Sequence, residues 1–508
     1  MYSKEDEELF EPIRTRITRF RALEILDVCL KVMRMTESNP EKWYTVYQPW
    51  KVLLLVKWTL IHGNFTFLHL PYSFKEQQLQ ELLAEILKLE DTLGKERDEA
   101  GWLLFFRKLA FQQFPLQQTP YQSSFARQSL LFSDLPRDAE LRHTFFEQVG
   151  VEIEDFIELE LLLIPKFLVN REGSVDANWF RTVESHYPGG AIANFLESLS
   201  LDVPGVRTFL TQEWERHQPE LRYELFEMSP LKKRPLLKYN DRYHCYSERL
   251  LYRGMEHYIY DNLRQVNPQA FGNEFGKGRF EEYVGKALAY TGLPMITERD
   301  LIRRIRKGVG LVDYIAIDQD VNVFVEAKAV EATYIAEVSE DIQVIINRLK
   351  SSVIEAIEKA YQLVQELETV TAVAGVGLGR SEERYLLVVT YADLFLGSGN
   401  DFYRLVAKDA LDDIVAKSNG RQWIPFANMY FVSLENFDLF MEVVHKGPMR
   451  MTDVLRRAVA ADATAVDEQR KFIFRQHLFE IAGDLDVPRY LSDEFQRIFD
   501  NTGSKLRQ

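Results

Sequence analysis

The sequence predicts a mixed α/β fold, in which an α/β domain lies between a large, mostly α-helical region and a short helical segment. Up to about residue 227, apolar residues recur at the three- and four-residue spacing of helices that are buried on one face. From about residue 280, short apolar runs typical of strands alternate with helical stretches, an order that a sheet flanked by helices buries. We therefore expect three segments, residues 1–230, 231–446 and 447–508.

The composition is that of a globular protein with several domains. The chain has 508 residues, of which 46% are hydrophobic and 13% aromatic, enough for more than one packed core. Its net charge of -15 excludes a surface that is basic throughout. Any contact with nucleic acid therefore needs a local basic patch and should be sensitive to salt.

Several features predict a cytoplasmic protein. The two cysteines, Cys29 and Cys245, are too few for a disulfide framework or a Cys-rich zinc site, and both are expected to be buried. The opening residues, MYSKEDEELF, are acidic where a secretory signal would be basic. The most apolar stretches, residues 50–61 and 159–169, are shorter than the roughly 20 residues that span a bilayer. No membrane contact is expected.

The first segment carries no recognised motif. Its helical spacing is clear in the run LQELLAEILKL, and a short strand is expected at residues 65–70. Aromatic-rich stretches such as WLLFFRKLAFQQF are typical of packed helices, although the basic residues among them leave base stacking as an alternative. We expect this segment to recognise a target, a partner subunit or a second copy of the chain.

The α/β segment begins with a hairpin and two helices. A hairpin is predicted to turn at Asn240-Asp241, and Ser247 is placed to cap the helix that follows. A second helix covers GRFEEYVGKAL and ends near Gly292. Further on, a helical region is expected from residue 339 to about 368. Two more strands are predicted, Tyr385–Tyr391 and Met429–Ser433.

Charged residues interrupt the run GLVDYIAIDQDVNVFVEAKA, residues 310–329, which otherwise has the pattern of two buried strands. A turn through residues 318–320 would close a hairpin that sets Asp313 directly opposite Glu326. Because alternate strand residues share a face, Lys328 points to the same side as Glu326. Unpaired charges are costly in a core, so their presence in these strands needs a reason.

A divalent cation would provide that reason. Opposed residues have Cβ atoms about 4.5 to 5.5 Å apart, so that Asp313 and Glu326 could share Mg²⁺ at ligand distances of about 2.0 to 2.1 Å. A cation there polarises a phosphoryl oxygen and lowers the pKa of a bound water, while Lys328 orients the water or offsets the growing negative charge. This set of groups suits hydrolysis of a phosphodiester.

These residues resemble the PD-(D/E)XK, or restriction-endonuclease-like, nuclease superfamily, whose pattern is an acid on a helix, an aspartate on one strand and Glu-x-Lys on the next. Glu281 matches the helix acid, Asp313 the aspartate and Glu326-Ala327-Lys328 the Glu-x-Lys. Val312 stands where the pattern has proline, a departure that the superfamily commonly tolerates.

The resemblance implies a restriction-endonuclease-like α/β core and a Mg²⁺-dependent endonuclease, with Mn²⁺ able to substitute. The implied metal ligands are Asp313, Glu326, the backbone carbonyl of Ala327, and Glu281. Lys328 would assist the attacking water. Glu282 competes with Glu281 for its role, and either Lys359 or Gln362 is expected to add a polar group from the following helix. DNA is the expected substrate, RNA is not excluded, and large helical additions of this kind occur in bacterial antiviral defence and restriction systems.

Two other motifs lie near this site. A basic run precedes the strand of Asp313 and could grip phosphates, or form a solvated helix face paired with acids; it consists of Arg299, Arg303, Arg304, Arg306 and Lys307. The run GVGLGR lacks the Lys-Ser/Thr of a phosphate-binding loop and is interpreted as a turn. A motor ATPase, if one is needed, must therefore be a partner.

The same residues allow other interpretations of the chain. Glu326 and Lys328 could form only a surface salt bridge on an edge strand. The chain could be a non-catalytic nucleic-acid-binding or scaffold subunit that keeps the nuclease fold, or a nuclease of repair or recombination. The sequence also leaves a homo-oligomer open.

Overall fold

Helices dominate the first part of the chain, and a mixed sheet lies at the centre of the second part. The computed structural model describes residues 2–66, 73–93, 98–117, 122–447, 449–464 and 470–507. The chain divides into two units: unit 1 holds residues 1–97, 108–267 and 494–508, and unit 2 holds residues 98–107 and 268–493. The predicted mixture of helix and sheet is confirmed.

Unit 1 is mainly helical. Its helices are α1 (Lys4–Thr18), α2 (Ala22–Ser38), α3 (Pro40–Trp43), α4 (Pro49–His62), α5 (Glu76–Thr92), α7 (Ser123–Gln128), α8 (Glu140–Val149), α9 (Ile153–Ile164), α10 (Ala191–Leu199), α11 (Val203–His217), α12 (Leu221–Glu224) and α13 (Glu248–Val266). Helices α6 (Glu99–Gln117) and α25 (Arg489–Arg507) are divided between the two units. Most of the strand expected at residues 65–70 lies outside the described residues.

A small sheet completes unit 1. Its strands, in the spatial order β1-β4-β3-β2, are β1 (Ser174–Val175), β2 (Ser200–Asp202), β3 (Leu236–Tyr239) and β4 (Arg242–Cys245). The hairpin β3–β4 turns through Asn240 and Asp241, which both have positive φ as a tight two-residue turn requires. Ser247 caps α13 by accepting a hydrogen bond from the backbone N–H of Leu250 at 3.1 Å. Both of these predictions are confirmed.

Unit 2 is built on a five-stranded sheet in the order β11-β10-β7-β6-β5. The strands are β5 (Met295–Thr297), β6 (Tyr314–Asp318), β7 (Val321–Lys328), β10 (Arg384–Thr390) and β11 (Met429–Ser433), and a separate two-stranded hairpin consists of β8 (Ala372–Val373) and β9 (Val376–Gly377). Strands β5, β6 and β7 pair antiparallel, and β7, β10 and β11 pair parallel. Strand β7 is therefore central.

Helices cover this sheet. They are α14 (Pro268–Ala270), α15 (Glu281–Tyr290), α16 (Glu298–Ile302), α17 (Tyr334–Val338), α18 (Ile342–Leu349), α19 (Glu355–Leu367), α20 (Gly399–Asp401), α21 (Lys408–Lys417), α22 (Leu434–His445), α23 (Met451–Thr464) and α24 (Phe474–Ala482). A π-helical segment, Phe271–Phe280, runs directly into α15. The apolar face of α19, with Ile357, Ala360 and Val364, packs in one core with the sheet residues Leu386 and Val388.

The unit boundaries differ from the expected segments. The hairpin β3–β4 belongs to unit 1 because its strands hydrogen-bond to β1 and β2. The region after residue 447 belongs to unit 2 up to residue 493. There the buried carboxylate of Asp318 accepts hydrogen bonds from the backbone N–H of Thr452 at 2.8 Å and from its hydroxyl at 2.7 Å. Both expected boundaries, after residues 230 and 446, therefore fall inside units.

Cys29 and Cys245 are both free and buried, as predicted. No helix in the described part of the chain is long and apolar enough to cross a membrane.

Candidate functional site: an acid and lysine cluster on the central strand

The hairpin β6–β7 brings Asp313 and Glu326 together. Asp318 pairs with Val321 and Tyr314 with Val325, so the same register sets Asp313, just before β6, opposite Glu326. The predicted register is thereby confirmed. Asp313 is only 8% exposed, and its Oδ2 accepts a hydrogen bond from the backbone N–H of Ala327 at 2.7 Å.

Glu326 lies at the centre of a buried cluster of charges. Its side chain is on the central strand and is 1% exposed. Its Oε1 lies 3.0 Å from the Nζ of Lys328 and 2.9 Å from the Nζ of Lys359, whereas its Oε2 is buried without a hydrogen-bond partner among the described residues. The salt bridge with Lys328 exists, but neither its burial nor its strand agrees with an exposed pair on an edge strand.

Helix α19 supplies the second lysine. The Nζ atoms of Lys328 and Lys359 both lie 3.7 Å from Oε1 of Glu355. Burial alone would lower the pKa of Lys359, but Glu326, Asp313 and Glu355 outweigh burial and raise this pKa. Both lysines of the cluster therefore contact carboxylates, those of Glu326 and Glu355. Lys359 stays charged at neutral pH because its pKa is raised.

Two carboxyl groups of the cluster, those of Asp313 and Glu281, have raised pKa values. Burial, followed by the charge of Glu326, raises the pKa of Asp313 to about 8, against the opposing hydrogen bond from Ala327. Burial, followed by the charges of Glu298 and Glu326, raises the pKa of Glu281 to about 7. Crowded carboxylates of this kind favour either a shared proton or a bound cation.

The structure distinguishes Glu281 from Glu282. Glu281 is half-buried, and its pKa responds to Glu326, so it belongs to the cluster. Glu282 is exposed and pairs with Arg279 and Lys286, each at 2.9 Å, and the hydrogen bond from Lys286 is the main cause of its lowered pKa. Of these two acids, Glu281 is the one that interacts with the charge of Glu326 on the central strand.

A close approach of helix α15 to the sheet positions Glu281. The hydroxyl of Tyr314 donates a hydrogen bond to the backbone carbonyl of Glu281 at 2.9 Å. The phenol of Tyr314 also lies against Gly285, where a Cβ atom would overlap it. Glycine at this position therefore allows the helix to come close enough for its first residue to reach the cluster.

Sequence reasoning missed two acids of the cluster. The backbone N–H of Glu298 donates to the backbone carbonyl of Asp313 at 2.8 Å, and its charge acts on Glu281. Glu355 contacts both lysines. Glu355 stands four residues before Lys359 on α19, a helical spacing that the sequence shows. Nothing in the sequence marks Glu298.

The two auxiliary candidates on α19 have different positions. Lys359 joins the cluster through Glu326. Gln362 accepts a hydrogen bond through its Oε1 from the backbone N–H of Gly310 at 2.8 Å, and so holds the segment that leads into Asp313.

The carboxylates of the cluster are potential ligands of a metal ion. No group of three or more His, Cys, Asp or Glu side chains in the described ranges is placed to hold a metal ion. Magnesium is usually held by one or two carboxylates, several waters and substrate phosphates rather than by a complete protein cage. Asp313 and Glu326, with the unpartnered Oε2 of Glu326, fit that smaller requirement.

The predicted basic run lies beside this cluster. Arg299, Arg303, Arg304 and Lys307 are exposed and form no salt bridge within the described part of the chain, whereas Arg306 pairs with Glu366 at 2.7 Å. Because α16 begins at Glu298, whose N–H is bonded to Asp313, the run starts next to the site. Four of its five cations therefore have no salt-bridge partner among the described residues, although Arg303 interacts with the charge of Asp300.

Comparison of the chain with protein-family models, with curated proteins and with solved structures finds no match.

Proposed function

We propose that this chain is a Mg²⁺-dependent nuclease that hydrolyses phosphodiester bonds, most naturally in DNA. The observation that carries the proposal is the convergence of Asp313, Glu326 and Lys328, with one oxygen of Glu326 buried and unpartnered. An α/β protein has no packing reason to place these groups on its central strand, since a buried charge needs compensation. The resemblance of the motif to the PD-(D/E)XK pattern points in the same direction.

The residues divide into two roles. Asp313 and Glu326 would hold the cation, with Glu281 and the carbonyl of Ala327 as further oxygen donors. A divalent cation bound there supplies Lewis acidity to a phosphoryl oxygen and to a water molecule. The Nζ of Lys328 would orient the attacking water and offset negative charge as it grows on the phosphate.

Lys359 would act beside Lys328. Both ammonium groups approach the same oxygen of Glu326, at 2.9 and 3.0 Å, so one can remain on that oxygen while the other turns to the phosphate. The exposed cations of residues 299–307 would bind phosphates next to the scissile one. Partners that remain part of this proposal are a separate ATPase, another subunit or a second copy of the chain, in a cytoplasmic defence or restriction system.

Cleavage assays test the proposal. Purified protein should convert plasmid or single-stranded DNA to shorter products with Mg²⁺ or Mn²⁺ and not with EDTA. Lys328→Ala should be slower by about a hundredfold, the usual effect of removing one group that stabilises transition-state charge. Lys417→Ala, which removes an exposed lysine paired with Glu358 on α19, is the matched control and should cut normally.

Equal cleavage by the wild-type chain and Lys328→Ala would show that the catalytic assignment is wrong. If neither protein cuts DNA or RNA, the non-catalytic binding or scaffold function replaces the nuclease.

A further inference from the structure

A second feature of unit 2, the segment from Glu298 to Gly310, concerns the form of nucleic acid at the site. Its beginning is fixed by the hydrogen bond from Glu298 to the backbone of Asp313, and its end by the hydrogen bond from Gly310 to Gln362. A Cβ atom at Gly310 would lie 2.9 Å from the Cα of Lys359, so this end packs tightly on α19. The segment is a fixed border of the acid and lysine cluster.

The apolar residues of the segment fall into two groups. Leu301 is fully buried in the core, and Ile305 packs against that core. Ile302 instead points outward and is 59% exposed. An exposed isoleucine is unremarkable by itself, but this one lies between cations at the border of the site.

Helix α16 ends at Ile302, and Arg303 follows it as the C-terminal cap, still in a helical backbone conformation. Helical spacing therefore places Arg299, Ile302 and Arg303, residues i, i+3 and i+4, on one face of this turn. Arg304 and Lys307 extend the positive charge toward the end of the segment. This face therefore presents one aliphatic side chain with a guanidinium group on either side. Neither arginine forms a salt bridge within the described ranges and both are exposed, so their guanidinium groups can reach phosphates. The carboxylate of Asp300 lies near enough to Arg303 for the two charges to interact.

The dimensions of this face match the minor groove of duplex DNA. A helix is about 10 to 12 Å across, too wide for a groove of about 6 Å, so only side chains can enter it. Arg299 and Arg303 are four residues apart, or about 6 Å along the helix axis, and can reach the phosphates of the two strands that border the groove. Ile302 between them would then contact sugars and base edges inside it.

Resting on the proposed function, we infer that the site acts on duplex DNA and that Ile302 enters the minor groove beside the cleavage position, while Arg299 and Arg303 hold the two backbones. Single strands are usually held by stacking on aromatic rings, and residues 298–310 contain none. Apolar side chains that enter the minor groove are a known means of holding and bending duplex DNA.

Binding measurements with the full-length chain test this inference without relying on cleavage. Calcium replaces magnesium, and fluorescence anisotropy compares a duplex DNA, a single-stranded DNA and a duplex RNA of equal length. The wild-type chain should bind duplex DNA most tightly. Ile302→Ser should weaken duplex DNA binding about fivefold to tenfold through the lost apolar contact, with an unchanged dependence on salt because no cation is removed.

Two variants complete the test. Arg303→Gln should reduce the slope of log affinity against log salt by about one, the effect of one lost phosphate contact. Leu87→Ser removes an aliphatic side chain of comparable exposure from α5 in unit 1 and should bind as the wild type does. Thermal unfolding of each variant checks that the fold is intact.

The inference would be overturned by wild-type affinity of Ile302→Ser for duplex DNA, by an equal loss on single-stranded DNA, or by a wild-type chain that does not prefer duplex DNA. Its failure is separate from failure of the nuclease proposal. If Ile302→Ser binds duplex DNA as the wild type does, the cleavage assays still test the nuclease proposal. If no cleavage occurs, the binding measurements still test the inference about Ile302.

Discussion

At the scale of single residues, three buried carboxyl groups show how a partner or a proton compensates the cost of burial. Asp318 has Thr452, and Glu326 has two lysines. Glu160 on α9 is fully buried in unit 1, and burial raises its pKa well above the ordinary range. The amide of Gln128 opposes this shift, and the charge of Glu256 adds to it. Burial therefore favours the protonated form of Glu160 in the folded protein.

This raised pKa predicts a pH dependence of stability. Below about pH 4, the unfolded carboxyl is protonated as well and Glu160 brings no penalty. As the pH rises, the unfolded state ionises while the folded state does not, so stability falls until the folded pKa is passed. Glu160→Gln should remove this loss and make the protein more stable than wild type at pH 8, by on the order of 1 to 3 kcal/mol.

Denaturant unfolding of the wild type and Glu160→Gln at pH 5 and pH 8 measures the effect. The exposed Glu147, on α8, provides the control, because Glu147→Gln makes the same chemical change at the protein surface. A stability difference for Glu160→Gln that does not grow with pH would contradict the assignment of a buried, protonated carboxyl.

At the scale of elements, the site depends on how closely α15 approaches β6. Gly285 and Tyr314 make that contact, and the hydroxyl of Tyr314 holds the carbonyl of Glu281. We expect Gly285→Ala to force the helix away from the sheet, at a loss of about 1 to 3 kcal/mol in the free energy of unfolding, as in other overpacked cores. Mg²⁺-dependent cleavage should fall with it, because Glu281 moves.

Gly278 supplies the matched substitution. It lies in the helical segment just before Glu281, and a Cβ atom there would meet only the carbonyl of Asn273, at 3.8 Å. Gly278→Ala should be neutral or stabilising by up to about 1 kcal/mol, since alanine favours helix over glycine. Thermal unfolding and cleavage assays on both variants measure these effects. Wild-type stability and cleavage of Gly285→Ala would show that the close contact between Gly285 and Tyr314 does not position Glu281.

At the scale of the whole molecule, each unit is made from separate parts of the chain. Unit 2 takes residues 98–107 as well as 268–493. The fully buried Arg107 explains part of this arrangement, because its Nε donates to the backbone carbonyl of Leu394 at 3.0 Å. Contacts between distant parts of the chain, rather than linkers, therefore define the units.

Fragments of the chain should reflect these units. A fragment of residues 231–446 contains β3 and β4 without β1 and β2, and Asp318 without Thr452, so exposed strand edges and an unpaired buried carboxylate should prevent cooperative folding. A fragment that joins residues 98–107 through a flexible linker to residues 268–493 contains all of unit 2, including Arg107, the five-stranded sheet and α23. We expect a cooperative thermal transition, followed by circular dichroism, only for the second fragment. A cooperative transition for residues 231–446 would show that the expected segment folds by itself.

Local patterns were enough to predict much of unit 2. Strand alternation and a two-residue turn predicted the register of β6 and β7, and helical spacing predicted the buried face of α19. Strand β5 was missed because three residues are too few to show a period. The same limit applies to the two-residue strands β8 and β9.

The sequence by itself determined which residues share a strand face, and therefore that Asp313, Glu326 and Lys328 converge. Side-chain direction in a strand follows from alternation, and the turn sets the pairing. Only the tertiary structure decided that Glu281 rather than Glu282 interacts with the charge of Glu326, that Lys359 reaches Glu326, and where the units end. Those relations join segments far apart in the chain, and their distances follow from how whole helices pack on the sheet, which no local pattern encodes.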